Sequence, residues 1–148
     1  MGRLVRLQGG AFAQLSLFVD TSVWSLAFRR DAPATEPEVG ALIHALETGE
    51  SILTTGLVLQ ELLQGFQGPK ARTHILNRFS AIPLLVPGRR DHIDAAELRN
   101  RCRRADVQIG TIDAILAQLC VRHGLTMLTT DGDFHNIARR STLRLWKP

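Results

Sequence analysis

Two aspartates follow short apolar runs that are typical of buried strands. Asp20 comes after Leu15–Val19, a mostly apolar run with branched and aromatic side chains, and Asp131 comes just after Leu125–Thr129. Runs of this length predict strands that are buried on both faces of a parallel sheet. The carboxyl ends of parallel strands share one edge of the sheet, and ligands bind at that edge. We therefore expect Asp20 and Asp131 to face the same crevice.

Two further acids lie in predicted helices near that crevice. Asp113 is in the first turn of a helix predicted over Ile112–His123, where the helix dipole favours a negative charge by about 0.3–1 kcal/mol. Glu61 is inside the helix predicted over Leu57–Gly65, between apolar neighbours that disfavour a purely exposed position. Asp113 can therefore border the crevice, and Glu61 can approach it.

Carboxylates that converge in this way need a cation. Two unit charges 4 Å apart repel by about 4 kcal/mol at an effective dielectric constant of about 20. Without a cation their pKa values rise or the crevice opens. Oxygen-only ligands suit the hard cations Mg²⁺ and Mn²⁺. The five histidines are scattered along the chain, and Cys102 and Cys120 lack the spacing of zinc ligands.

Each acid also has a purely structural interpretation. Asp20 can cap a helix that starts near Val23, because Asp, Ser and Thr are preferred at that position. Asp113 can simply complement the helix dipole. Asp131 and Asp133 can form a turn followed by a helix cap. Only the convergence of several acids at one edge of the sheet indicates a function.

Strand and helix patterns alternate along the whole chain. Further strands are predicted at Ser51–Thr54, Ile82–Val86 and Leu143–Trp146, and Pro83 places the second of these at a sheet edge. Helical patterns start near Val23, at Glu38, Leu57, Pro69, Asp91 and Ile112, and near Asp133. This alternation predicts a parallel α/β sheet. In the helix from Asp91 to Arg104, Ile93, Ala96 and Leu98 are expected to form the apolar side.

The composition is that of one globular domain. The chain has 148 residues, 45% of them hydrophobic, and no apolar run approaches the roughly 20 residues of a membrane span. Residues 1–14 are expected to be a loose N-terminal extension, which leaves 15–148 as the domain. Both cysteines fall in helical patterns and are expected to be buried free thiols, which favours a reducing, cytoplasmic compartment.

The surface charge is basic and comes mainly from arginine. The net charge is +4, and 16 of the 18 basic residues are Arg, several of them clustered at 89–90, 99–104 and 139–140. The planar guanidinium suits phosphate, so this charge fits a nucleic-acid ligand. A GC-rich genome would enrich arginine as well, so charge alone does not identify the ligand.

Four segments that contain the acids resemble, in this order and spacing, the PIN-domain ribonuclease family, and within it the VapC toxins of bacterial toxin–antitoxin pairs. The segments are FVDTSVW, LQELLQG, TIDAILA and LTTDGDF, and the resemblance covers about Leu17–Trp146. It implies a three-layer α/β/α fold with a parallel sheet of four to five strands.

The resemblance also implies roles for particular residues. Asp20, Glu61, Asp113 and Asp131 correspond to the acidic active-site quartet of the family, and Asp20 and Asp113 to its most regular metal ligands. Asp133 corresponds to a less regular fifth acid. Ser22 corresponds to a hydroxyl that often lines the site.

The implied activity is that of a Mg²⁺-dependent endoribonuclease toxin of a type II toxin–antitoxin system, with Mn²⁺ as a substitute ion. One or two ions held by Asp20, Asp113 and Asp131 would activate water, and Glu61 would position a water molecule or a second ion. The arginine clusters would hold the backbone of a structured RNA such as tRNA or rRNA. The resemblance further implies a homodimer and a small cognate antitoxin.

Two other functions stay open. A non-catalytic RNA- or protein-binding module could keep the same fold, although the retained acids argue against it. A phosphotransfer or phosphatase domain would need an acceptor aspartate with a partner lysine. The only lysines, Lys70 and Lys147, lie in unsuitable places.

Overall fold

The computed structural model describes residues 4–6, 12–29 and 34–148. At its N-terminal end, strands β1 (Leu4–Arg6) and β2 (Phe12–Gln14) pair in antiparallel fashion. The remaining residues of the expected extension, 1–3 and 7–11, lie outside the described residues. The loose character of 1–14 therefore stays a prediction.

The centre of the molecule is a five-stranded sheet in which every strand pair is parallel. Its strands are β3 (Ser16–Val19), β4 (Ser51–Thr55), β5 (Leu84–Leu85), β6 (Thr126–Leu128) and β7 (Arg144–Leu145), in the spatial order β5-β4-β3-β6-β7. Because β3 is central, Leu17, Phe18 and Val19 are almost fully buried. All carboxyl ends lie at one edge, as predicted, and β5, which follows Pro83, is an edge strand.

Over the described ranges, seven helices connect the strands and cover the sheet. They are α1 (Thr21–Phe28), α2 (Pro37–Thr48), α3 (Gly56–Gly65), α4 (Pro69–Phe79), α5 (Arg89–Arg104), α6 (Thr111–His123) and α7 (Gly132–Ala138). Helices α1 to α4 pack on one another, and so do α5 to α7. This arrangement confirms the predicted three-layer α/β/α fold. In the described part of the chain, no helix is both long and apolar enough to span a membrane.

Aromatic packing fixes helix α1, which starts directly after Asp20. Trp24 is 1% exposed and packs on Phe79 of α4 with a centroid distance of 4.9 Å. Trp24 also stacks on Phe28, one turn further along α1, at 5.8 Å. Such aromatic pairs contribute about 0.5–1.5 kcal/mol beyond their buried area. The helix that begins at the sheet edge is therefore held firmly against the layer behind it.

The buried side of α5 differs from the predicted one. Ala95, Leu98 and Cys102 are buried, whereas Ile93 is 42% exposed and Ala96 is exposed as well. The prediction for Ile93 and Ala96 was therefore wrong, and that for Leu98 was confirmed. The side that packs on α6 instead begins with an acid, Asp91, which can be buried because it has charged and polar partners.

Asp91 joins the start of α5 to the end of α6. Its Oδ2 accepts a hydrogen bond from Arg122 Nη1 at 2.6 Å and from the Gly88 backbone N–H at 2.8 Å. These contacts hold the pKa of Asp91 below its usual value, with the Gly88 N–H as the largest cause and Arg122 next among the stabilising groups. This ion pair is the α5–α6 clamp, and it fixes the helix that carries Asp113.

Candidate active site

Asp20 stands at the carboxyl end of the central strand β3 and is 6% exposed. The Ser22 and Thr129 hydroxyls donate to its Oδ2 at 2.7 and 2.9 Å, and the Ser22 backbone N–H lies at 3.4 Å from the same oxygen. All hydrogen bonds that the described residues make to this carboxylate end on Oδ2. Oδ1 is thereby left for a further ligand.

The structural interpretation of Asp20 and Asp131 is also correct. Asp20 is the N-cap of α1, and Asp131 is the N-cap of α7, where its Oδ1 accepts the Asp133 backbone N–H at 2.9 Å. A capping bond uses only one of the two carboxylate oxygens. The same residue can therefore start a helix and still offer an oxygen to the crevice.

Three aspartates bring carboxylate oxygens close together at this edge. One oxygen each from Asp113, Asp131 and Asp133 lies within 4.8 Å of the others. Oxygen ligands bind Mg²⁺ at about 2.0–2.1 Å and larger divalent cations at about 2.3–2.6 Å. A single ion can thus lie within reach of all three.

The charges of the other acids converge on Asp113. Partial burial is the largest cause that raises the pKa of Asp113 to about 6, and the charges of Asp131, Asp20, Asp133 and Glu61 raise it further, in that order. A like charge in a poorly solvated site disfavours the ionised form. The four other acids named from the sequence therefore all act electrostatically on Asp113.

Glu61 reaches the group from helix α3 but is exposed to solvent, contrary to what its apolar neighbours suggested. Leu62, the next residue, is 1% exposed and points into the core, and a rotation of 100° per residue turns Glu61 away from it. Partial burial raises the pKa of Glu61, the Thr21 hydroxyl lowers it, and the Asp20 charge raises it.

The donor set fits a hard divalent cation. Three carboxylates lie close together, and no cationic side chain is hydrogen bonded or ion paired to any of the five acids within the described residues. The pKa values of Asp113 and Glu61 are raised, first by burial and then by the charges of neighbouring acids. An oxygen-rich anionic site of this kind is suited to Mg²⁺ or Mn²⁺. The five histidines are exposed, and among the described residues none of them belongs to this group of potential ligands.

Thr129 is the residue of this site that the sequence analysis did not identify. It is 6% exposed, donates to Asp20 and accepts the Asp131 backbone N–H at 3.0 Å. A hydroxyl at the end of strand β6, two residues before an acid, was the available signal. Its partner Asp20 is 109 residues away in the sequence, so no local pattern could reveal the contact.

Comparison with known proteins matches this architecture. The family model of the PIN domain matches residues 17–140, which include all five acids. The chain is 29% identical over 130 residues to the VapC ribonuclease Mb1587 of Mycobacterium bovis, covering 86% of this chain and 96% of that protein. It is similar to the same extent to the ribonuclease VapC11 of Mycobacterium tuberculosis.

Solved structures show the same fold at lower identity. VapBC2 from Rickettsia felis, bound to a DNA fragment from its promoter, superposes with a TM-score of 0.70 at 18% identity, covering 89% of this chain and 98% of that one. VapC20 of Mycobacterium tuberculosis, a toxin that cleaves the sarcin–ricin loop, superposes with a TM-score of 0.62 at 22% identity, covering 87% of this chain and 99% of that one. FitAcB from Neisseria gonorrhoeae superposes with a TM-score of 0.63 at 20% identity, covering 89% of this chain and 97% of that one.

Three findings agree with one another: the parallel sheet, the acids at its carboxyl edge and a family match over most of the chain. This protein belongs to the PIN domain family.

Proposed function

We propose that this protein is a divalent-metal-dependent endoribonuclease and acts as the toxin of a type II toxin–antitoxin pair. The observation that carries the proposal is a group of carboxylates at the carboxyl edge of the sheet: oxygens of Asp113, Asp131 and Asp133 lie within 4.8 Å of one another, and the charges of Asp20 and Glu61 also act on Asp113. The ribonuclease names of relatives that match nearly the whole chain support the RNA-directed activity. The sequence and charge support Mg²⁺ as the ion, with Mn²⁺ as a substitute.

The acids divide into two groups in this proposal. Asp20, Asp113 and Asp131 hold the ion, Asp133 adds a nearby oxygen, and Glu61 orients a water molecule from the opposite helix. A bound divalent cation supplies Lewis-acid stabilisation of the phosphate charge and lowers the pKa of water. The burial of Asp20 keeps its carboxylate in place, and a bound cation would offset the repulsion among the acids around Asp113.

The RNA backbone would be held by exposed arginine clusters on the surface of the domain. Arg139 and Arg140 are exposed at the C-terminal end of α7, away from Asp131 at its N-terminal end. Contacts of this kind position the phosphates without reading bases. A structured RNA such as tRNA or rRNA is the proposed substrate class, and hydrolysis would leave a 5′-phosphate and a 3′-hydroxyl.

The partners follow from the same relatives. Structures of VapBC and FitAB complexes share the fold, which supports a cognate antitoxin for this chain, and a homodimer is proposed with it. Cys102 and Cys120 are buried free thiols, in keeping with a reducing, cytoplasmic compartment. Light scattering should give about twice the chain mass of 16.4 kDa, and a monomer at concentrations well above those in the cell would contradict the dimer.

The decisive test is cleavage of total cellular RNA by the purified, antitoxin-free protein in Mg²⁺, Mn²⁺ or EDTA. Discrete fragments are expected with either metal and none with EDTA. Asp113→Asn should lower the rate by at least about 100-fold. Asp94→Asn is the matched control, because Asp94 lies on α5 and pairs with Arg90, and it should retain full activity.

The alternatives predict other outcomes of the same experiment. RNA that is bound by the folded protein but never cleaved in any metal would refute the nuclease and support the non-catalytic binding module. Hydrolysis of a small phosphorylated compound without RNA cleavage would support a phosphatase.

A further inference from the structure

Two hydroxyls and one carboxylate form a closed group under the acidic crevice. Ser22 Oγ and Thr129 Oγ1 both lie within hydrogen-bond distance of Asp20 Oδ2, at 2.7 and 2.9 Å, and are 3.3 Å from each other. Ser22 is on α1 and Thr129 follows β6. The group therefore joins two elements that are distant in the sequence.

Each hydroxyl accepts a hydrogen bond from the backbone and donates one to Asp20. The Thr130 N–H donates to Ser22 Oγ at 3.1 Å, and the Asp131 N–H donates to Thr129 Oγ1 at 3.0 Å. A hydroxyl has a single proton. Since an ionised carboxylate can only accept, each hydroxyl gives its proton to Asp20 Oδ2.

The consequence for Asp20 is a fixed orientation. Two charge-assisted hydrogen bonds hold Oδ2, and such bonds are stronger than those between neutral groups. Rotation of the carboxylate would break both bonds at once. Oδ1, which receives no hydrogen bond from the described residues, is consequently held in one direction.

We propose that Thr129 is a positioning residue for the metal-dependent reaction: with Ser22 it forms a hydroxyl clamp that orients Asp20 and at the same time ties down the backbone of Asp131. The inference rests on the proposed function, because it assigns Asp20 and Asp131 as ligands of the ion. In this proposal Thr129 would not itself bind the ion or the RNA. It acts through two acids that come from opposite ends of the chain.

Supporting groups of this kind have measurable effects on metal sites. Groups that orient a ligand typically change metal affinity or activity by about 10- to 100-fold when they are removed. Thr129→Val keeps the shape and removes only the hydroxyl. We expect it to weaken Mn²⁺ binding, measured by electron paramagnetic resonance without RNA, by at least about tenfold, and to lower kcat for RNA cleavage at saturating Mn²⁺.

The chain offers a matched control for this substitution. Thr54 on β4 is completely buried, and its hydroxyl has no hydrogen-bond partner among the residues that the structure describes. Thr54→Val therefore makes the same chemical change in the same sheet without touching the clamp. It should bind Mn²⁺ and cleave RNA like the wild type. Thr129→Ser restores the hydroxyl and should stay within about threefold of the wild type in both measurements.

Two results would overturn the inference. One is a folded Thr129→Val variant that binds Mn²⁺ and cleaves RNA as Thr54→Val does. The other is a Thr129→Ser variant that fails as badly as Thr129→Val, since the hydroxyl would then not be the cause.

A further variant and the choice of readout distinguish a folding defect from a loss of metal binding. If Thr129→Val does not fold, Ser22→Ala removes the other hydroxyl from the clamp. Weakened Mn²⁺ binding by Ser22→Ala supports the clamp, and unchanged binding refutes it. Because Mn²⁺ binding is measured without RNA, a wild type that never cleaves RNA would refute the proposed nuclease and leave this test intact.

Discussion

Asp113 shows how burial and neighbouring charges shift the pKa of a single residue. Its carboxyl is partly buried and faces four other acids, which together raise its pKa to about 6. Near neutral pH and without a cation, the ionised form is therefore held in the folded state against repulsion. A divalent ion or the loss of one charge should relieve this repulsion.

The first prediction concerns metal removal. In EDTA at pH 7, Asp113→Asn should unfold at a higher temperature than the wild type, by the equivalent of about 1 kcal/mol once solvent screening is considered. Mg²⁺ or Mn²⁺ should raise the melting temperature of the wild type and have a much smaller effect on the variant. Calorimetry in both buffers measures this. A wild type that gains no stability from either ion would contradict a metal site at these acids.

Cys120 shows the same effect of burial on the pKa of another acidic group, with a different consequence. Burial is the main cause that raises the pKa of its thiol, and the Asp20 charge adds to it. The thiolate is the reactive form of cysteine. Cys120 is therefore inert in the folded protein and serves as a small apolar side chain in the core.

At the scale of elements, the α5–α6 clamp fastens the C-terminal end of α6, the helix that carries Asp113 in its first turn. Asp91 is 1% exposed, whereas the Arg122 side chain is 53% exposed. The arginine therefore keeps much of its hydration while the carboxylate depends on its partners. Loss of either bond to Asp91 would loosen the hairpin of α5 and α6 that carries Asp113.

A second prediction tests this clamp. Asp91→Ala should lower the free energy of unfolding by about 2 kcal/mol, because it removes hydrogen bonds to Arg122 and to the Gly88 N–H. Urea denaturation measures the loss. Glu97→Ala on the exposed side of α5 is the control and should change stability by less than about 0.5 kcal/mol. Equal stability of the two variants would show that the clamp contributes nothing.

The same clamp predicts a pH dependence. The pKa of Asp91 is lower in the folded protein than in the unfolded chain, so the folded state binds fewer protons through this group. The resulting stability is present above the unfolded pKa of about 3.9 and is lost as the pH falls through the lower folded value. Asp91→Asn should therefore lose less stability than the wild type between pH 5 and pH 2. Parallel curves would contradict this account.

At the scale of the whole molecule, the distribution of charge matters most. An acidic crevice lies in a chain of net charge +4, so the rest of the surface is strongly basic. Basic side chains attract the RNA backbone over distances of about a Debye length. The crevice itself repels phosphate until a cation is bound. Metal binding and RNA binding are therefore expected to support each other.

A fourth prediction follows from this distribution. The affinity of the inactive Asp113→Asn variant for RNA should fall linearly with the logarithm of the salt concentration, as counterions are released from the phosphates. Replacing both Arg139 and Arg140 by Gln should reduce the slope by about 1.4, at about 0.7 for each contact to single-stranded RNA. Fluorescence anisotropy measures both slopes. An affinity that does not depend on salt would contradict backbone binding by the arginines.

Local sequence was sufficient to predict the strands and helices and to identify the acids as candidate site residues. Strands such as β3 and helices such as α6 follow from apolar periodicity, which depends on neighbouring residues alone. Asp20 and Asp131 were assigned to one edge because parallel strands end together. Pro83 predicted the edge strand, because proline has no backbone N–H to donate within the central strands of a sheet. The order of the four acidic segments was specific enough to indicate the PIN domain family.

Only the tertiary structure decided which side chains meet and how each is exposed. Thr129 contacts Asp20 across 109 positions, and Arg122 contacts Asp91 across 31. The exposure of Ile93 and of Glu61 likewise depends on which side of each helix the neighbouring layer covers. Periodicity defines the elements and the separation of residues along them, but the rotation of a helix against its neighbour is set by packing and by the pairing of buried charges. The acids could therefore be predicted from the sequence, whereas the hydroxyl clamp that orients Asp20 could not.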